Sequence, residues 1–165
     1  MNGGNATVLI NSLKIGYHAW IDNERLLLFV LGDSNTNSLH YYNLSTQKDT
    51  ILSNNIGRSL HFIPGQTAMS FIQKISDKES VIKRFDLKTG MISVIAPTLN
   101  GQDHITWLKN NILLTGNGTK LYSFQPGVDK EWQMVIIEGD VSIVKGITRL
   151  SANSNNSKLA VVVSE

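Results

Sequence analysis

One order of events recurs four times along this chain, and no other feature of the sequence restricts its fold as strongly. A glycine opens a short stretch carrying a large apolar residue, a turn follows, and a more continuously apolar run comes next. Gly16-Tyr17-His18-Ala19-Trp20 passes Asp22-Asn23 into Arg25-Leu26-Leu27-Leu28-Phe29-Val30, and Gly57-Arg58-Ser59-Leu60-His61-Phe62 passes Pro64-Gly65 into Thr67-Ala68-Met69-Ser70-Phe71-Ile72. Gly101-Gln102-Asp103-His104-Ile105-Thr106-Trp107 passes Lys109-Asn110-Asn111 into Ile112-Leu113-Leu114, and Gly146-Ile147-Thr148-Arg149-Leu150 leads to Leu159-Ala160-Val161-Val162-Val163. With Trp20, Phe62, Trp107 and Leu150 as anchors, the intervals are 42, 45 and 43 residues. Propeller blades of four strands have periods of this length, and so do some helical repeats.

The inside of each unit separates the two. In the first, strand-like runs at 17–21, 25–31, 38–43 and 49–53 are divided by Asp22-Asn23, by Gly32-Asp33-Ser34-Asn35 and by Ser45-Thr46-Gln47, all turn formers. The second unit turns at Pro64-Gly65, Ser76-Asp77-Lys78-Glu79 and Lys88-Thr89-Gly90, and the third at Lys109-Asn110-Asn111, Gly116-Asn117-Gly118 and Pro126-Gly127. No stretch of helical length sustains an apolar stripe of period 3.6. The expected fold is all-β: a β-propeller of four-stranded antiparallel blades, a WD-like repeat, with about 3.5 to 4 blades present.

Residues 1–165 are expected to form a single partial propeller. Within it, 1–16 supply the outer strand of a preceding blade, 17–57, 58–102 and 103–146 form blades, and 147–165 form the inner half of a last one. Residues 6–11 stand before Gly16 where Thr50-Ile51-Leu52-Ser53 stands before Gly57, which places them on an outermost strand. Blades hide their faces by stacking into a ring, and open edges invite association. Closure of an unusually small ring, or pairing of two chains, is therefore expected, with the strand at 6–11 completing the half blade at 147–165.

Ala19-Trp20-Ile21-Asp22-Asn23-Glu24-Arg25-Leu26-Leu27-Leu28-Phe29-Val30 and Ile82-Lys83-Arg84-Phe85-Asp86-Leu87-Lys88-Thr89-Gly90 resemble the two halves of the repeat in the TolB-like propeller family. The family's aspartate-glycine turn is replaced by Asp22-Asn23, Pro64-Gly65, Asn110-Asn111 and Asn153-Ser154-Asn155-Asn156, each still a turn former. The resemblance implies the C-terminal half of a six-bladed propeller. It also implies a non-catalytic scaffold that binds a protein or peptide, periplasmic or exported, as in the Tol-Pal envelope system. Its alternative is the propeller part of an enzyme or ligand-binding protein, either gating a prolyl-oligopeptidase-like hydrolase or resembling a related lyase that holds a metal through histidines.

Composition narrows the functional classes. The net charge of +2 comes from 15 basic and 13 acidic residues mixed along the chain, without the basic stripe that nucleic-acid binding demands. No cysteine is present, so disulfides, thiolate metal sites and cysteine nucleophiles are absent. The apolar runs at 26–31 and 159–163 are too short to span a bilayer, and Met1-Asn2-Gly3-Gly4-Asn5 does not resemble a signal peptide. Neither a Gly-x-Ser-x-Gly elbow, nor a Walker loop, nor His-Glu-x-x-His occurs, so no catalytic residue, metal or cofactor is expected.

The candidate ligand or channel-mouth residues are His18, Arg58, His61, Asp103, His104 and Arg149. Arg58, Asp103, His104 and Arg149 flank the innermost strands, where convergent polar groups make a small-ligand or peptide site. His18, His61 and His104 recur every 43 residues, yet lie two, one and three positions before their anchors. Strand alternation therefore puts His18 on the face opposite the other two. Asp22 and Asp86 are expected to cap turns, and Trp20, Phe62 and Trp107 to pack between blades. Trp132, with Tyr41 and Tyr42, is expected on the rim.

Overall fold

The computed structural model describes residues 4–33, 36–139, 144 and 146–164. Apart from 3-10 geometry at Asp33 and at Leu99–Gly101, the regular structure of these residues is β, in antiparallel sheets of neighbouring strands. Among the described residues no helix is long and apolar enough to cross a membrane. The chain divides into two compact units, Met1–Asn55 and Ile56–Glu165.

The first unit is one sheet in the order β1 (Ile15–Trp20), β2 (Arg25–Leu31), β3 (Asn37–Asn43), β4 (Lys48–Asn54). Leu26 through Val30 on β2 are all buried, so the strand is covered on both faces and reads as a continuous apolar run instead of an alternating one. The β1–β2 turn is held by Asp22, whose Oδ1 accepts the Glu24 and Arg25 N–H groups at 3.0 and 2.9 Å while Oδ2 takes the Arg25 Nε–H. On β3, His40 Nδ1 lies 2.8 Å from the Asp49 carboxylate of β4, and its Nε2 lies 2.8 Å from Ser38 Oγ. A carboxylate only accepts, so Nδ1 donates to Asp49. This relay ties β3 to β4. Residues 6–11, expected as an outermost strand, pair with no described strand; Ile10 and Leu13 instead pack on Leu26, Leu28, Val30 and Tyr42.

The second unit contains two four-stranded sheets and a two-stranded one. They comprise β5 (Ile56–Phe62), β6 (Ala68–Lys74), β7 (Ser80–Asp86) and β8 (Ile92–Pro97); β9 (Thr106–Trp107), β10 (Leu113–Asn117), β11 (Lys120–Phe124) and β12 (Gln133–Val135); and β13 (Ile147–Ala152) with β14 (Leu159–Val163). Adjacent residues on β10 serve different cores, because successive side chains on a strand point to opposite faces. Leu113 joins Ile63, Ala68, Ile72, Ile82, Trp107 and Phe124 against the β5–β8 sheet. Leu114 joins Leu121, Ile147 and Leu150 against the two-stranded one.

Hydrogen bonds cross the same seams. Trp107 Nε1 donates to Ser70 Oγ at 2.8 Å, the Ile105 N–H to Ser59 Oγ at 2.9 Å, and the Ile147 N–H to the Gly118 carbonyl at 2.8 Å. A buried aliphatic or aromatic side chain contributes about 1.5–3 kcal/mol, against about 0.5–1.5 for a net hydrogen bond. Apolar burial therefore supplies most of the stacking energy, while the hydrogen bonds fix the register.

Three sequence expectations change. The turn-closing bonds Ile21 N–H to Arg25, Ile63 N–H to Ala68, Leu108 N–H to Ile112 and Asn153 N–H to Lys158 make Trp20, Phe62, Trp107 and Ala152 equivalent. The fourth anchor is thus Ala152 and not Leu150; a small residue gave no hydrophobic signal there. Trp107 is 9% exposed, but Trp20 and Phe62 are 43% and 44% exposed. Moreover, Tyr42 is buried, and Trp132 is partly buried, stacking on Phe124 and donating to the Pro97 carbonyl at 3.1 Å. Neither residue lies free on a rim.

Candidate functional site

The first strand of each sheet starts at the same end of the second unit, and the residues just before and within these starts carry most of the charge there. Ile56 pairs with Gln73, so the antiparallel β6 brings its last residue, Lys74, beside the start of β5. Arg58 on β5 and Lys74 then share one carboxylate: Asp103 Oδ2 lies 3.9 Å from Arg58 Nε and 3.7 Å from Lys74 Nζ. Asp103 is held in place through its backbone, since its carbonyl accepts the Arg58 N–H and the Ser59 hydroxyl, both at 3.3 Å. Gly57 allows this approach, because a Cβ there would press on Asp103 Cβ and Ile72 at about 3.1 Å.

His104 follows directly and is 5% exposed. Its backbone carbonyl accepts the Thr115 hydroxyl at 2.8 Å. Measured from the corrected anchors, His104 precedes Trp107 by three residues just as Arg149 precedes Ala152, so the two occupy equivalent positions on neighbouring sheets. Burial pushes the imidazole below its ordinary pKa; the Asp103 charge opposes that shift and the Arg149 charge adds to it. The Gly116 carbonyl accepts from the ring, while His104 Nε2, buried, has no hydrogen-bond partner.

Arg58, Asp103, His104 and Arg149 are therefore brought into one neighbourhood, and His61 and His18 are not part of it. His61 sits between two sheets, where burial lowers its pKa and the Ile105 carbonyl partly offsets this. His18 is exposed in the first unit, edge-to-face with Trp20 at 6.5 Å, beside a mainly apolar pocket of about 310 Å³ that Ile10, Ile15 and Leu28 also line. Among the described residues no three histidine, aspartate or glutamate side chains come together as a metal site.

Asp22 and Asp86 are turn caps. The Thr89 N–H, Arg84 guanidinium and Lys88 N–H hold the Asp86 carboxyl far below the usual carboxylate range. Sequence reading missed Lys74, because only the β5–β6 register places it, and it missed the seam hydroxyls Ser59, Ser70 and Thr115. Ser70 and Thr115 did leave a signal, as small polar residues inside otherwise apolar second strands.

No protein-family model and no curated protein matches the chain. Among solved structures, TolB from Acinetobacter baumannii superposes with a TM-score of 0.63 at 14% identity, over 92% of this chain and 38% of that one. The fold is that of a TolB-like β-propeller. The uncharacterized protein lmo1340 from Listeria monocytogenes EGD-e is similar over 82% of this chain and 44% of its own, with a TM-score of 0.55 at 13% identity. The chain thus spans less than half the length of either structure. At this identity the likeness carries the architecture, while the residues at the inner-strand mouth belong to this chain's own sequence.

Proposed function

We propose that this chain is a non-catalytic TolB-like propeller module that binds a protein or peptide at the inner-strand mouth of its second unit, in the bacterial cell envelope. The convergence of Arg58, Lys74, Asp103, His104 and Arg149 from three consecutive sheets supports this reading. Convergent polar groups on a rigid scaffold are what fix a ligand's orientation. The envelope location follows the family resemblance. The enzymatic alternative has less support: Asp22 and Asp86 are occupied by their turns, and the histidines stand apart.

Panning a random peptide library on the folded protein tests the proposal. Enriched peptides are expected to lose binding to Arg149→Glu and keep it with Lys158→Glu, which lies at a β13–β14 turn residue. Enrichment that is indifferent to Arg149→Glu, or none, would overturn it.

A further inference from the structure

The outermost strands of the three four-stranded sheets are each blunted against pairing with a further strand. β4 carries Lys48 and Asp49 and bulges at Leu52, β8 bulges at Ile95 and ends in Pro97, and β12 is only three residues long. Charge, proline, bulges and shortness are the means by which sheet edges stay unpaired in solution. β14 has none of them. Its five residues, Leu159-Ala160-Val161-Val162-Val163, are uncharged, without bulge or proline, and Val161, Val162 and Val163 are exposed. No described strand pairs with β14 on the side away from β13.

Backbone direction shows what that side offers. The Lys158 carbonyl accepts the Asn153 N–H at 3.1 Å, and the Ser164 N–H donates to the Gly146 carbonyl at 3.0 Å, so these two residues turn their backbone groups towards β13. The direction alternates along an antiparallel strand, which sends the N–H and C=O groups of Leu159, Val161 and Val163 outward. Residues 6–11, expected to complete this sheet, are engaged in the first unit, where Ile10 packs on the cluster of Leu26, Leu28, Val30 and Tyr42. A second β14 fits the edge instead. Set antiparallel about a two-fold axis at Val161, the two Val161 residues face each other and Leu159 faces Val163 of the second copy. Every outward residue then opposes an outward residue, and such pairs exchange both hydrogen bonds. Moving the axis by one residue leaves Val163 or Leu159 opposite a residue beyond the strand. We propose that β14 is the interface of an isologous dimer of this chain, in which β13 and β14 of the two copies join as one four-stranded antiparallel sheet, the strand number of the other three sheets.

Sedimentation velocity of the whole chain over a concentration series measures the dimer. Val161→Pro removes an outward N–H from each copy and spares the β13 ladder, because proline is accepted where the N–H of an edge strand faces solvent. Loss of the two bonds of the central pair should weaken the dimer about tenfold, with an unchanged circular dichroism spectrum. A nitroxide on Val162→Cys, unique in a chain without cysteine, gives a readout independent of the proline variant. Its spectrum should show dipolar broadening that excess unlabelled chain removes. A monomer at every concentration would overturn the proposal, as would a dimer that is unchanged by Val161→Pro and shows no broadening. Loss of the dimer with Val8→Lys/Leu9→Lys, and not with Val161→Pro, would assign the edge to residues 6–11 and overturn it as well.

Discussion

Ser70 shows how one small polar residue positions a sheet. Its hydroxyl accepts the Trp107 indole N–H and donates to the His61 carbonyl, at 2.8 and 3.3 Å. Ser70→Ala leaves a buried donor unpaired, a loss of about 1–3 kcal/mol. Trp107→Ala removes the ring itself and should cost more, about 3–5 kcal/mol. Urea unfolding should rank the two in that order. Two histidines, buried His104 and half-buried His61, give a pH signature. His61 and His104 titrate below the unfolded value of about 6.5, so between the two values the unfolded chain binds more protons. Stability should therefore be full above about pH 6.5 and decline as the pH falls towards the folded pKa values. His61→Gln/His104→Gln should flatten that decline, whatever its effect at neutral pH; an unchanged slope would locate the titration elsewhere. At this scale, local chemistry was legible in the sequence. Asp22 and Asp86 bond residues two or three positions away, and their neighbours reveal them. Lys74 meets Asp103 across two strands and a sheet boundary, and no local pattern encodes that meeting.

Among the elements, the second strands of the four-stranded sheets were the clearest, because burial on both faces writes a largely apolar run, as Leu26 to Val30 does. First strands were harder. Bulges between Ile15 and Tyr17, Ile56 and Leu60, and Ile147 and Arg149 shift the register, so offsets counted from a chosen anchor misplace side chains. The fourth unit was phased two residues early for a related reason, since Ala152 is too small to announce its position. Close approach between β10 and β13 depends on Gly116, where an added Cβ would collide with the Ile147 side chain. Gly116→Ala should cost about 1–3 kcal/mol through overpacking, measurable as a lower urea midpoint, and should cost less in an Ile147→Ala background, which removes the Cγ2 nearest the added Cβ. No rescue would show that the seam is not packed this way.

For the whole molecule, the repeat period carried the architecture, while the proposed binding surface depends on the registers that bring three sheets to one end. Val162 on β14 is 55% exposed in a two-stranded sheet, and an apolar strand of this kind is prone to associate. Sedimentation velocity should show concentration-dependent association that Val162→Lys reduces. The central claim, however, is that ligands dock at the inner-strand mouth, and amide chemical-shift mapping with a peptide selected on the folded protein tests it most directly. The shifts should centre on Arg58, Lys74, Asp103, His104 and Arg149. Shifts confined to the apolar pocket beside Trp20, or to the outer strands β8 and β12, would contradict it.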